Sequence, residues 1–221
     1  MKAAQVEWSR ALARRRACHL GCVALLLSIT LVLSGCAAPK FRSSASVATV
    51  APHQEHAATI TALTQWRLRG RLAVQRGDKG FSADLDWREA PAGAVLRVMA
   101  PLNGGTFSLT RGSAGVTLVT PKGASDTAPD AEELMLRHLG WSLPLAGARY
   151  WVLGVPAPDA AHPASQERID ERGRWTDFAQ DGWRISILEY AEVDHLSLPR
   201  RLYLSHTDLQ VRIAMKQWEM R

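Results

Sequence analysis

The sequence predicts a mainly β fold with a few helices: an open, strongly curved antiparallel sheet, in effect an incomplete β-barrel, with short helices capping its apolar concave side. Three observations carry this expectation. Apolar and polar residues alternate strictly from Trp66 onward, as an antiparallel sheet with one wet face requires. About ten such runs follow, several of them separated by Gly-containing turns, with no internal repeat. Two or three stretches of helical period interrupt them. The charged outer faces argue against a membrane-spanning barrel, whose outward face is apolar.

At the amino end, an apolar run from Val23 to Leu33 follows Arg14, Arg15 and Arg16 and closes on Leu33-Ser34-Gly35-Cys36. A positive flank, a short apolar core and small residues before a cut site are the layout of a secretory signal. The run is too short for a bilayer span, which needs about 20 residues. With a cysteine after the small pair, the segment resembles a bacterial lipoprotein signal. That implies removal of residues 1–35 and acylation of Cys36. The plainer alternative is an ordinary cleaved signal with a stray cysteine. Residues 36–53, rich in Ala, Ser, Thr and Pro, read as a flexible lipidated tether with a reach of about 20 Å. Gln54 to Gln65 reads as a short helix with Ile60 and Leu63 inward, opening a single folded domain over residues 54–221.

In the first strand Trp66, Leu68, Gly70, Leu72 and Val74 share one face, and Arg67, Arg69, Arg71 and Gln75 the other. After the turn Gly77-Asp78-Lys79-Gly80, the second strand places Phe81, Ala83, Leu85 and Trp87 inward. Further strands are expected at Ala94–Ala100, Thr106–Arg111 and Val116–Thr120. Thr127 reads as the cap of a helix that buries Leu134, Met135 and Leu139 and stops at Gly140. A second helix is expected from Leu145 to Leu153, ended by Gly154, Pro156 and Pro158, before a loop. The remaining strands are Arg168–Glu171, Arg174–Phe178, Trp183–Tyr190 after the Asp181-Gly182 turn, Arg200–His206 and Leu209–Trp218.

Composition narrows the function. The whole chain carries +6, but five of its 27 basic residues and one of its 21 acidic ones fall in the removed segment. The rest is close to balance, with no long like-charge block, so nucleic acid is not an expected partner. Cys18 and Cys22 also fall in the signal, so no disulfide framework is possible in the mature domain. There is no G-x-S-x-G, P-loop, H-E-x-x-H or C-x-x-C. His53 and His56 lack a third ligand nearby and read as a solvated pair. Asp194-His195 near Ser197 reads as a polar loop, and His138 as a helix-end cation. No enzyme activity, cofactor or metal is expected.

One connection is unusual. Met99-Ala100-Pro101-Leu102-Asn103-Gly104-Gly105-Thr106 joins two alternating strands and carries turn chemistry, yet a leucine stands directly before the turn. Such a leucine ordinarily folds back onto the core. The alternative is an apolar finger, Pro101, Leu102, Asn103 and Gly104, that touches a bilayer or a lipid.

The order of motifs resembles the LolB family of outer-membrane lipoproteins. The matching pieces are Leu33 to Cys36, Arg69-Gly70, Ser82-Ala83 with Trp87, Ala100-Pro101-Leu102 and Asp130-Ala131-Glu132-Glu133-Leu134. They continue with Gly140-Trp141-Ser142-Leu143-Pro144-Leu145 and Trp151-Val152-Leu153-Gly154-Val155-Pro156. The resemblance implies an apolar cavity for acyl chains inside the curved sheet, a protruding loop leucine at Leu102, and anchorage through Cys36 at the inner leaflet of the outer membrane. It implies that lipid-modified proteins arrive from the periplasmic carrier LolA and are inserted into that membrane by a monomeric receptor. Where the family commonly has Pro-Leu-Gly, this chain has the longer Pro-Leu-Asn-Gly-Gly. Candidates for the cavity lining are Leu68, Leu72, Val74, Phe81, Leu85, Trp87, Leu96, Val98, Leu118 and Ile213; plain core is the other reading of the same faces. The alternative function is a structural or assembly lipoprotein of the envelope, its sheet packed solid.

Overall fold

In the computed structural model the described residues are 45–102 and 104–221, with side chains from Pro52 onward; the expected signal, Cys36 and Asn103 lie outside them. Helix α1 (Ala45–Thr61) leads into β1 (Trp66–Arg76), β2 (Lys79–Ala90), β3 (Gly93–Met99), β4 (Thr106–Gly112), β5 (Gly115–Val119) and β6 (Ser125–Ala128). Helices α2 (Ala131–Leu139) and α3 (Leu145–Trp151) follow. The chain ends with β7 (Ser165–Ile169), β8 (Trp175–Gln180), β9 (Trp183–Val193), β10 (Leu196–His206) and β11 (Leu209–Met220).

The strands form one 11-stranded sheet in the order β6-β5-β4-β3-β2-β1-β11-β10-β9-β8-β7. Each half is a meander of hairpins, and the antiparallel pairing of β1 with β11 joins the halves. The outermost strands β6 and β7 do not pair, so the sheet stays open as expected. Both edges are short and polar, Ser-Asp-Thr-Ala and Ser-Gln-Glu-Arg-Ile, which blunts edge-to-edge association. The β1–β11 register shifts between Arg69 and Gly70, a bulge that bends the strand. A Cβ on Gly70 would lie 2.2 Å from the Ala214 carbonyl oxygen, so the close approach needs glycine there.

The helical segment lies in the chain between the two sheet edges. Leu134 and Met135 of α2 and Leu145, Ala148 and Trp151 of α3 join the same buried cluster as Leu68, Leu85 and Trp87 of the sheet. Asp130 caps α2, accepting the Glu133 amide at 2.8 Å, and Gly140 ends it at φ 75°. Thr127, the expected cap, belongs instead to β6, where β5 supplies its backbone partners. Helix α3 stops at Trp151, two residues short of the expected end. Helix α1 departs further from expectation. It starts at Ala45 rather than Gln54, runs through Pro52 and stops at Thr61 rather than Gln65. Ala48, Ala51, Ala57 and Ala58 favour the helix, and Pro52 costs it one main-chain hydrogen bond. Part of the segment expected as tether is therefore helical.

Candidate lipid-handling site

The concave face is apolar apart from Glu89 and Gln180. Nine of the ten predicted lining residues are buried in one cluster, and only Phe81, 40% exposed, stands outside it. Phe81 has the expected inward parity but sits near the β1–β2 hairpin tip, opposite Val74. Its ring lies 6.1 Å from that of Trp141, just past the end of α2.

The interior is filled. Between Leu96, Val98, Phe107, Leu109, Leu118, Met135 and Leu139 a void of about 20 Å³ remains, room for about one water and none for an acyl chain. An acyl-sized cavity is not shown among these described residues, whose side chains are buried in one cluster with those of the helices. An open groove of about 600 Å³ does exist at the rim, lined by Val74, Arg76, Phe81, Leu139, Trp141 and the hairpin turn. Arg76 donates there to the Gly140 carbonyl and, at 3.2 Å, to Asp208, tying β1 to the end of α2.

Three polar groupings hold the helices in place. Gln180 is 3% exposed; it accepts from the Trp151 indole at 2.8 Å and exchanges hydrogen bonds with the Ala157 backbone. Glu89, 2% exposed, accepts from the Trp87 indole at 3.2 Å and from Arg111, with Arg149 of α3 at 3.7 Å. Asp126 of β6 accepts from Arg137 at 2.6 Å and His138 at 2.8 Å, which, His138 first, hold its carboxyl down at about 2. Sequence reasoning missed Glu89. Its signal was present, since it continues the inward series Phe81, Ala83, Leu85, Trp87.

Leu102 does not fold back. It is 99% exposed and sits at φ 53°, a left-handed conformation that disfavours leucine. Gly104 donates to the Pro101 carbonyl at 3.1 Å and Ala100 to Gly105 at 3.0 Å, so Leu102 rides on a tight turn. The pairing of Asp84 with Met99 puts this turn at the same end of the sheet as the β1–β2 hairpin and the groove.

The other candidates are placed plainly. His53 donates to the Gly173 carbonyl at 2.8 Å and packs edge-on to Trp175 at 4.2 Å, so the pair at 53 and 56 docks α1 rather than lying in solvent. Asp194 and His195 form an exposed β9–β10 turn, and the Ser197 hydroxyl accepts from Arg174 at 2.7 Å. No group of three or more metal-ligating side chains occurs among the described residues. No described helix is long and apolar enough to cross a membrane.

The domain is thus an open antiparallel sheet with an apolar, helix-covered face and a leucine projecting from one end. A sequence model described as "Outer membrane lipoprotein LolB" matches residues 64–218. Outer-membrane lipoprotein LolB of Nitrosococcus oceani is 32% identical over 198 residues, covering 90% of this chain and 97% of that one. That of Nitrosomonas europaea is 34% identical, covering 90% and 93%. The chain belongs to the LolB family of outer-membrane lipoproteins. Among solved structures, a LolA superfamily protein from Nitrosomonas europaea superposes with TM-score 0.47 at 8% identity, covering 78% of this chain and 92% of that one.

Proposed function

We propose that this domain receives the acyl chains of lipid-modified proteins from the periplasmic carrier LolA and inserts them into the outer membrane, held there by acylation at Cys36. The observation that supports this best is Leu102, wholly exposed and conformationally costly, which earns nothing for the fold and suits a bilayer. In this reading α2 and α3 lift so that acyl chains replace their side chains on the sheet. Dispersion and hydrophobic contacts are non-directional, which fits a receptor for many cargoes that share only their lipid. Hand-over needs no nucleotide if the receptor binds the chains better than the carrier does, and the bilayer better still.

Titration of the protein with a fluorescent diacylated peptide tests the proposal. Saturable binding is the expected result. The packed interior supports a second reading, an envelope module with no ligand, and absence of binding at every peptide concentration establishes that one instead.

A further inference from the structure

Resting on the acyl-receptor reading, we propose that the Trp141 indole N–H is a recognition point for the ester carbonyl of the cargo's diacylglyceryl group. Trp141 is 6% exposed, lines the rim groove, and its Nε1 is buried with no hydrogen-bond partner. Among the described residues, that of Trp141 is the one indole nitrogen both shut off from solvent and without a partner. The indoles of Trp87, Trp151, Trp175 and Trp218 donate to Glu89, Gln180, Glu167 and the Pro199 carbonyl. A buried donor without an acceptor is uncommon because its desolvation is uncompensated. Trp141 lines a groove in which Val74, Phe81 and Leu139 stand with Arg76, Lys79 and Asp208, at the end of the sheet that carries Leu102, and its N–H, shut from water here, becomes reachable as α2 lifts.

The chemistry selects the ligand. An ester carbonyl is an uncharged acceptor with no donor of its own, so one N–H in an apolar wall satisfies it. A free carboxylate instead wants a cation; the groove's Arg76 is engaged with Gly140 and Asp208, which leaves Lys79, exposed at the hairpin, as the cation open to one. A diacylglyceryl group also places its carbonyls at the junction between hydrocarbon and the polar peptide, which matches a donor at a rim rather than in the deep interior. Phospholipids carry the same ester, so the two sources are separated by the test.

The experiment compares a diacylglyceryl-cysteine peptide with its dialkyl-ether analogue, which keeps the chains and lacks the carbonyls. The full protein is expected to bind the ester about three- to tenfold more tightly, the range of one net hydrogen bond. Trp141→Phe is expected to lose that preference and bind the two peptides equally. The Trp141 indole ¹⁵N–¹H resonance is expected to shift with the ester and not with the ether. Equal wild-type affinity for both peptides overturns this inference alone, as does an equal loss for both in Trp141→Phe, which marks a purely steric role. An ester preference found with short-chain diacyl phosphatidylethanolamine but not with the peptide overturns the assignment to cargo. Failure of the wild type to bind either peptide overturns the receptor reading and this one with it.

Discussion

Replacing Leu102 with glycine separates the needs of the fold from those of delivery. A leucine held at φ 53° costs about 1–2 kcal/mol, which glycine removes. Glycine also adds unfolded-state freedom, taking back about 0.4–1 kcal/mol. No packing is lost, because the side chain is 99% exposed. Leu102→Gly is therefore expected to be as stable as the parent or more so by about 0.5 kcal/mol, a rise of about 1–2 °C in Tm. On the functional side, a leucine moved from water into hydrocarbon is worth about 2 kcal/mol, so its loss lowers insertion about 30-fold. Leu102→Glu, with a charge at the tip, is expected to abolish it. The assays are a calorimetric melt and transfer of labelled lipoprotein from its loaded carrier into liposomes bearing the acylated protein. A melting temperature several degrees lower makes the leucine part of the fold. Wild-type insertion by Leu102→Gly refutes the finger.

Two further outcomes follow from the packing. Burial first, then Arg174, holds the His56 imidazole below its ordinary 6.5, so the folded state favours the neutral ring. Its contribution is whole above about pH 6.5 and declines as acidification protonates the unfolded state preferentially; urea midpoints measured from pH 7.5 to 5 should fall, and His56→Phe should flatten that slope. Gly70→Ala forces a methyl against the Ala214 carbonyl at the bulge and should cost about 3 kcal/mol, read as a lower urea midpoint at unchanged slope.

The strands were legible because each is one half of a hairpin whose inward residues recur every second position, and turns such as Asp181-Gly182 fixed where pairs fold. The signal fails where a strand has no apolar face. Ser125–Ala128 is strand only because β5 presents an open edge to it, a tertiary cause invisible in four polar and small residues. Displacing the cap from Thr127 to Asp130 is the same event, since a residue paired in a sheet cannot also begin a helix. For Leu102 the sequence favoured the core over the finger, and only the turn closed by Gly104 and Pro101 sends it outward. Glu89 was legible by parity, but alternation alone does not say that Arg111 and Arg149 would converge on it. Trp141 could be placed in a motif, whereas the missing partner of its N–H is a property of the folded surroundings.

The expected cavity and the filled interior follow from one energetic constraint. A ligand pocket of about 300 Å³ kept empty and apolar would cost about 7 kcal/mol at 24 cal/mol per Å³, comparable with the whole stability of a domain. Without lipid, the favourable arrangement is for α2 and α3 to settle on the sheet, and Leu134, Met135 and Trp151 do so. Lifting them exposes side chains worth about 1.5–3 kcal/mol each, some 6 kcal/mol together. One acyl chain of roughly fifteen methylenes returns about 12 kcal/mol on leaving water. In the receptor reading the chains arrive from the carrier rather than from water, so the exchange of helix for lipid is favourable only if the carrier holds them less tightly. The buried Gln180, bonded to Trp151, and Glu89, bonded to Trp87 with Arg149 nearby, tie α3 to the sheet. A sequence shows the apolar faces that lipid or helix can cover equally well; in the structure the helices cover them.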